Sequence, residues 1–146
     1  MMEPYRIDQA GKEDLETLDA ALTDYNIQVA KELPRAEITR LDFTIKDENG
    51  LLLGGIQAYR VNWGILHIEL LYVDGSHRGR GIASSLLAHV EKIAKDHQCY
   101  LAHLSTFDFQ AKDFYIKQGY EVFGILENAP KGHCRYYTQG DPKFGC

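Results

Sequence analysis

Two stretches of sequence decide the fold: LHIELLYVDGSHRGRGIASSLLAHVEKIAK, from Leu66 to Lys95, and CYLAHLSTFDFQAKDFYIKQGY, from Cys99 to Tyr120. The first begins as an apolar strand, passes through a basic turn rich in glycine, and continues as a helix. This helix is amphipathic, because apolar residues recur at helical spacing from Ile82 to Ile93. The second stretch predicts a strand and then a short helix that stops at Gly119. A helix N-terminus directly after a strand is a favourable place for a phosphate group.

The flanking segments predict more strands, joined mostly by hairpins, and one more helix. Leucines at helical spacing predict a helix from Lys12 to about Val29, and Asn49-Gly50 is a strong hairpin signal. The Gly54-Gly55 pair suggests a bulge or a close approach of two backbones. The class is therefore α+β with a mixed sheet. The predicted strands are Tyr5–Ile7, Leu41–Lys46, Leu51–Val61, Ile65–Val73, Tyr100–Ser105, Tyr120–Leu126 and Arg135–Gln139, and the predicted short helix is Phe109–Gln118.

Length and composition narrow the class of protein. A chain of 146 residues with 45% hydrophobic and 25% charged residues is typical of one globular domain. No apolar run reaches the ~20 residues of a membrane helix, and residues 1–14 are too polar for a signal peptide. Three cysteines (Cys99, Cys134 and Cys146) without a Cys-x-x-Cys spacing favour a reduced cytoplasm. We therefore expect a cytoplasmic protein without a membrane partner, and the sequence is compatible with a homodimer.

The net charge of −5 bears on the partners of the protein. A negative chain repels the phosphate backbone of nucleic acids, so we expect no nucleic-acid partner. The same charge mildly favours a cationic or amine substrate.

The basic turn Arg78-Gly79-Arg80-Gly81-Ile82-Ala83 has the properties of an anion site. The first turn of a helix has unpaired N–H groups and a partial positive charge. Glycines let that backbone approach an anion closely, and two arginines add full charges, which together favour a pyrophosphate. The turn is neither a Walker loop nor a Rossmann fingerprint. The alternative is an ordinary tight turn with solvated arginines.

In register, Arg78, Gly81 and Ala83 resemble the signature Gln/Arg-x-x-Gly-x-Gly/Ala of the GNAT superfamily of N-acetyltransferases, which use acetyl-CoA. Downstream, AKDFYIKQGY (residues 111–120) resembles the second marker of that family, and the two markers lie at the expected separation. The resemblance covers roughly residues 51–140. It implies one GNAT-like domain over residues 1–146, with a mixed, mostly antiparallel central sheet flanked by helices, and acetyl-CoA as the acetyl donor.

The resemblance also implies which residues hold the cofactor. The strand before the turn would pair its backbone with the pantetheine arm, as an added strand does. Asp108 stands where the family often has an asparagine that contacts the cofactor, and this acidic group could instead face the substrate. The cofactor-binding residues that we expect are Leu71, Tyr72, Val73, Arg78, Gly79, Arg80, Gly81, Ile82, Ala83, Asp108 and Ala111.

Tyr115 is the candidate general acid, and the resemblance gives it the role of protonating the departing CoA thiolate. A phenol has a pKa of ~10 and a thiol ~8.5, so this proton transfer is uphill by about 2 kcal/mol before burial or local charge acts. The alternative is that Phe114 and Tyr115 are only packed aromatic residues.

Glu69 is the candidate general base. An amine with a pKa of ~10.4 must lose a proton before it attacks, and a charged residue in an apolar strand is costly to bury without a partner. In the family this strand often supplies a carboxylate. Glu69 as a solvent-facing carboxylate is an equal alternative. Strict alternation puts His67, Glu69, Leu71 and Val73 on one face of the strand.

Tyr25, Asn26 and His67 are the candidate substrate-binding residues. Tyr25 and Asn26 end the first helix, which walls the acceptor pocket in this family, although Tyr25 also continues the apolar stripe. His67 and His103 lie on strands that could be neighbours, but no local spacing supplies three convergent ligands, so we expect no metal site.

We interpret the sequence as an acyltransferase that moves an acetyl group from acetyl-CoA to a primary amine by direct transfer. A small molecule is the preferred acceptor, and a protein or peptide amine is the second choice. Two other functions stay open from the residues: an acetyl-CoA-binding regulatory module without turnover, and a generic nucleotide-phosphate binder.

Overall fold

The computed structural model of the chain describes residues 4–141 and contains two compact units, divided after Ala36. The unit up to Ala36 contains one helix, α1 (Lys12–Val29), and the predicted bounds of this helix are confirmed. Its start is stabilised by Asp14, whose carboxylate accepts the backbone N–H of Gly11 at 2.9 Å. The prediction of a single domain over the whole chain stays a prediction.

Residues 5–7 lie outside any helix or strand, so the strand predicted for Tyr5–Ile7 is wrong. Tyr5-Arg6-Ile7 is too short to form a strand by itself, and it has no hairpin partner next to it in sequence. Cys99 and Cys134 are free thiols, whereas Cys146 lies outside the described residues.

Between residues 37 and 141 the chain forms a seven-stranded sheet with two α-helices, which confirms the predicted α+β class. Its strand order is β1-β3-β4-β5-β7-β6, with β2 also paired to β3, and the one parallel pair among these is β4 with β5. The elements are β1 (Ile38–Arg40), β2 (Phe43–Lys46), β3 (Leu52–Val61), β4 (Ile65–Val73), α2 (Ile82–Asp96), β5 (Leu101–Phe107), α3 (Lys112–Lys117), β6 (Glu121–Leu126) and β7 (Arg135–Gly140).

The core lies between α2 and one face of the sheet. Leu87 and Val90 of α2 are fully buried, and they belong to one cluster with Ile56 of β3 and Leu66 of β4. Burial of each such side chain contributes about 1.5–3 kcal/mol relative to exposure, so the stripe predicted from helical spacing attaches α2 firmly to the sheet. This attachment fixes the start of α2 beside the end of β4.

The short helix α3 begins later than predicted. The prediction was Phe109–Gln118, whereas α3 covers Lys112–Lys117. The side chain of Gln110 accepts the backbone N–H of Phe107 at 2.9 Å, which holds the preceding residues in turns. Gly119 has a φ of 98° and follows the end of α3, as expected for a residue after a helix.

A β-bulge interrupts β4 at Glu69. Ile68 lies opposite Ala58 of β3 and Leu70 lies opposite Gln57, so Glu69 is an extra residue without a cross-strand partner. A bulge of this kind bends the strand and shifts the alternation of its side chains by one position. Beyond the bulge β4 stays paired with β3, whereas its pairing with β5 ends at His67.

The bulge overturns the predicted faces of β4. Leu66 and Ile68 are buried before it, and after it Leu71 packs on the same core while Val73 is also buried. The expectation that His67, Glu69, Leu71 and Val73 share one face is therefore wrong beyond Ile68. Strict alternation fails because the extra residue reverses the face of every residue that follows.

Candidate active site

A cleft opens where β4 and β5 separate, and we call it the β4–β5 cleft. The two strands pair only between Ile65–His67 and Leu101–His103, and beyond these residues a cavity of about 700 Å³ lies between them. Within residues 4–141, no strand pairs with this edge of β4 beyond His67, so part of its backbone is available to an extended ligand. The cleft is lined by residues 68–73, 77–79, 81–84, 104–106, 109–111, 114 and 115.

The β4–β5 cleft brings together most of the residues predicted to hold the cofactor. Leu71, Tyr72, Val73, Arg78, Gly79, Gly81, Ile82, Ala83 and Ala111 line it. Arg80 and Asp108 lie outside this lining, and Arg80 is exposed. The geometry therefore unites nine of the eleven positions, while cofactor binding by each of them stays a prediction.

The start of α2 forms one end of the cleft. Gly79 and Gly81 have φ angles of 80° and 78°, in the left-handed region that favours glycine. No atom of the described residues lies within 4 Å of a Cβ added at either position, so the backbone angle and not the space requires glycine. Within the described chain, no side chain caps α2 and its first turn contains no acidic residue. The N–H groups and the positive helix end are thus left for an anion.

Arg78 fixes this turn against the end of β4. Its Nε donates a hydrogen bond of 3.2 Å to the carbonyl oxygen of Val73, and its guanidinium lies over the ring of Tyr72 at 5.8 Å. The hydrogen bond uses only Nε of the guanidinium, and Arg78 lines the cleft. Arg78 is therefore placed to add a positive charge beside the start of α2.

Asp108 is occupied by the loop that precedes β7. One carboxylate oxygen lies 2.9 Å from Nδ1 of His133, and the other accepts the backbone N–H of Cys134 at 2.9 Å. These hydrogen bonds, first that from Cys134 and then that from His133, hold the pKa of Asp108 below its usual value. The carboxylate thus ties the end of β5 to this loop, and its cofactor contact stays a prediction.

Tyr115 lies inside the cleft and is 6% exposed. Its ring meets Phe114 and Tyr120 edge to face, with centroids 5.2 and 5.9 Å away. Burial raises the pKa of the Tyr115 phenol to about 12, so the phenol is protonated at neutral pH. Burial therefore increases the difference between the pKa of this phenol and that of a free thiol. Desolvation of a thiolate in the same cleft raises the pKa of the thiol as well, and this reduces the gap again.

A buried carboxyl group behind Tyr115 was not anticipated. The hydroxyl of Tyr120 donates a hydrogen bond of 3.1 Å to Oε2 of Glu91, and Glu91 is 2% exposed. Burial raises the pKa of Glu91 to about 7, against the lowering effect of this hydrogen bond. The sequence contained a signal, because Glu91 lies between Leu87 and Ala94 at helical spacing in an apolar stripe.

Glu69 lines the cleft and forms an ion pair. Its Oε1 lies 2.6 Å from Nη2 of Arg40, which also binds Asp42 at 2.8 Å. These carboxylates, Asp42 before Glu69, raise the pKa of Arg40. The Glu69 side chain is 38% exposed, so this is a solvated pair and contributes little to stability. The Oε2 atom remains for an acceptor group, and the role of Glu69 as base stays a prediction.

His67 and His103 are neighbours, as the sequence suggested. Their Nδ1 atoms are 3.3 Å apart and their rings 4.5 Å, and Tyr59 lies beside His67 at 5.1 Å. Burial lowers the pKa of both imidazoles, so both are neutral at pH 7. Among the described residues, no group of three or more His, Cys, Asp or Glu side chains is placed to hold a metal ion.

The three predicted substrate-binding residues are not among the lining residues of the cleft. His67 is outside the lining of the cleft. Tyr25 and Asn26 belong to α1, in the unit up to Ala36. Substrate binding by these three residues stays a prediction. None of the helices between residues 4 and 141 has the length and apolarity of a membrane span.

Comparisons with known proteins agree with this geometry. Residues 8–120 match the sequence pattern of the Acetyltransferase (GNAT) family. Blasticidin-S acetyltransferase of Streptomyces morookaense is 38% identical over 86 residues, 58% of this chain. The match spans 62% of the length of that curated relative, so the activity of the whole relative does not transfer directly.

Solved structures show the same fold. The crystal structure of an acetyltransferase from Bacillus cereus ATCC 14579 is 32% identical and superposes with a TM-score of 0.86, covering 96% of this chain and 99% of that chain. An aminoglycoside 6'-N-acetyltransferase complexed with coenzyme A superposes with a TM-score of 0.64 at 18% identity, covering 94% and 97%. The second likeness concerns the fold alone.

Proposed function

The chain belongs to the GNAT family of acetyltransferases, and we propose that it transfers the acetyl group of acetyl-CoA directly to a primary amine of a small molecule. As a member of this family it is an acyltransferase. The observation that supports the proposal most strongly is the β4–β5 cleft, which joins an uncapped helix N-terminus at one end to a buried phenol. This arrangement suits a donor that has an anionic end and a reactive thioester.

The residues of the cleft fit acetyl-CoA, which when bound supplies an activated acetyl group on a thiol leaving group. The first turn of α2 and Arg78 would hold the pyrophosphate, because both offer N–H donors and positive charge. The unpaired edge of β4 at residues 71–73 would bind the extended arm through backbone hydrogen bonds, each worth ~1 kcal/mol net. A protein of the same fold is complexed with coenzyme A, which supports a CoA compound as the ligand.

Tyr115 would act as the general acid. Its phenol holds a proton over the whole physiological pH range, since burial raises its pKa to about 12. A group that is always protonated is ready to stabilise and protonate a leaving thiolate. Packing between Phe114 and Tyr120 limits the ring to one orientation, which favours catalysis by pre-organisation.

Glu69 would take the proton from the acceptor amine. Its position at the bulge places the carboxylate in the lining of the cleft, on the strand that would also bind the donor. Arg40 fixes one carboxylate oxygen and leaves the other for the ammonium group. A protonated amine is therefore attracted to the atom that would accept its proton.

A small acceptor agrees with the relatives. One relative is named for blasticidin S, and a protein of the same fold is named for aminoglycosides. These names support a small molecule and not a protein as the acceptor.

The test is an assay of thiol release from acetyl-CoA across a panel of amines, with a set of peptides as a second arm. We expect acceleration by small amines, and initial velocities at varied concentrations of both substrates that give intersecting lines. Parallel lines would indicate a covalent acetyl-enzyme and would contradict direct transfer. Acceleration by peptides alone would reject the small-molecule acceptor.

A further inference from the structure

Arg135 is the first residue of β7 and lies next to the β4–β5 cleft. Its neighbour Ser105 lines the cleft from β5, on the side opposite the buried residues Leu104 and Thr106. The Nε and Nη2 atoms of Arg135 donate hydrogen bonds of 3.0 and 2.6 Å to Oγ of Ser105. The guanidinium is therefore held against a residue of the cleft lining, on the side of the sheet opposite α2, while Arg135 itself lies just outside that lining.

Two aromatic rings fix the guanidinium. Its carbon lies 5.3 Å from the centre of the Phe107 ring and 5.4 Å from that of Tyr137. Cation–π contacts of this kind orient a guanidinium without neutralising its charge. Among residues 4–141, no carboxylate forms an ion pair with Arg135, in contrast to Arg40, which has two. A half-buried cation without an anionic partner is costly unless a ligand supplies the negative charge.

The hydrogen-bonding groups of Arg135 and Ser105 that remain unused are all donors. A guanidinium has five N–H groups, and the two bonds to Ser105 leave three of them free. Oγ of Ser105 already accepts two hydrogen bonds with its two lone pairs, so its own O–H can only donate. N–H and O–H donors around a positive charge suit an oxyanion. A carboxylate fits best, because the guanidinium and the carboxylate are both planar.

We propose that Arg135 and Ser105 bind a carboxylate of the acceptor, so that the substrate is an amine that also carries a carboxylate group. This inference rests on the proposed function. Glu69 lines the same cleft from β4 and would receive the amine, while Arg135 receives the carboxylate from the side of β5. The negative charge of Glu69 on β4 and the positive charge of Arg135 on β7 would select a zwitterionic molecule and set its orientation.

The phosphates of CoA are a second source of oxyanions, and the proposed function assigns them to a different place. The uncapped start of α2 and Arg78 lie at the turn after β4, whereas Arg135 contacts β5 and β7. Because the two sites are separate, substitutions at Arg78 and at Arg135 should have different effects. Loss of the guanidinium at position 78 should weaken acetyl-CoA binding, and loss at position 135 should weaken the binding of a carboxylate-bearing acceptor.

The experiment compares amino acids with their primary amides, which have nearly the same size but lack the negative charge. The panel is glycine, β-alanine, γ-aminobutyrate, L-ornithine and L-lysine with the five amides. We measure kcat/KM for each pair with the parent protein and with Arg135→Gln, Arg135→Lys and Ser105→Ala. Arg78→Gln is the matched control, because it removes a guanidinium from the other end of the cleft.

We expect the parent to prefer at least one acid over its amide by roughly 10- to 100-fold, the range of a charged hydrogen bond. Arg135→Gln should make the acid and the amide equal substrates, mainly through KM for the acid. Arg135→Lys should keep part of the preference, since the charge remains but the fork geometry is lost. Ser105→Ala should reduce the preference by a few-fold, and Arg78→Gln should retain it while raising KM for acetyl-CoA.

Two results would overturn the inference: a parent without preference for any acid, or a preference that survives in Arg135→Gln. If no amine of either kind is acetylated, the proposed function fails, and calorimetric titration of the CoA complex with each acid and amide decides the carboxylate site separately. If the CoA complex binds the acids more tightly than the amides, and Arg135→Gln removes this difference, the carboxylate site is still supported. Equal or no binding of acids and amides would reject it.

Discussion

The hydroxyl of Tyr120 donates a hydrogen bond of 3.1 Å to the carboxyl group of Glu91, and both residues are buried. The Tyr120 ring in turn contacts Tyr115, the candidate acid, with centroids 5.9 Å apart. A titratable carboxyl group thus supports the wall of the cleft from inside the core.

We predict that Glu91 makes the protein less stable as the pH rises from 5 to 7.5. The folded pKa of Glu91 is about 7, above the unfolded value, so the folded state holds a proton that the unfolded state has lost. Between about pH 4.5 and pH 7 the free energy of unfolding should fall by roughly 3 kcal/mol through this group. Urea unfolding at several pH values, with parent and Glu91→Gln, measures the difference.

His67 and His103 change the stability in the opposite direction as the pH rises, so the parent must be compared with Glu91→Gln. Their folded pKa values are lowered, so they reduce stability as the pH falls below their unfolded value near 6.5. Glu91→Gln retains that effect and removes the contribution of the carboxyl group. Identical pH dependence of stability in parent and variant would show that Glu91 does not titrate in this range.

We predict that Tyr115→Phe lowers kcat by roughly 10²- to 10⁴-fold, the usual value of general acid catalysis. Affinity for acetyl-CoA should change little, because the phenol acts mainly in the transition state. Steady-state kinetics and equilibrium binding measure the two quantities. Phe114→Leu is a control for packing on the same helix. If Tyr115→Phe keeps most of its kcat, or if it loses cofactor binding, Tyr115 is a packing residue and not the acid.

We predict that Glu69→Gln lowers the rate mainly below pH 8, with partial recovery at higher pH as the amine loses its own proton. Asp42→Asn is the matched control, since Asp42 binds the same arginine but lies outside the cleft. The measurement is kcat/KM from pH 6 to 10. If the profile of Glu69→Gln follows that of the parent, another group removes the proton.

The central part of the fold could be predicted because its signals are local. β4 has the predicted bounds, and the helix at Ile82 follows from a periodic stripe of apolar residues. The glycines of the turn were informative because their backbone angles require glycine. The cleft lining therefore contains most of the cofactor residues that the motif named.

The rest depends on contacts between distant parts of the chain. The bulge at Glu69 arises from the register between β4 and β3, and nothing within β4 marks an extra residue. The contact between Arg135 and Ser105 requires β7 to pair with β5, which places the last strand inside the sheet and β6 at its edge. Such pairings follow from the three-dimensional arrangement and not from local spacing.

The most direct test of the account is equilibrium binding of acetyl-CoA to Ala83→Glu and Ser85→Glu. Both variants add one negative charge to the first turn of α2, where an acid favours the helix, but Ala83 lines the cleft and Ser85 does not. Ala83 is a better choice than Gly81, where any side chain would also strain the backbone at a φ of 78°.

We predict that the parent and Ser85→Glu bind acetyl-CoA at one site per chain with similar affinity. Ala83→Glu should bind it roughly 100-fold more weakly or worse, because like charges at a binding site cost several kcal/mol. Equal affinity of the two folded variants, or a parent that does not bind acetyl-CoA, would contradict the assignment of the β4–β5 cleft as the cofactor site.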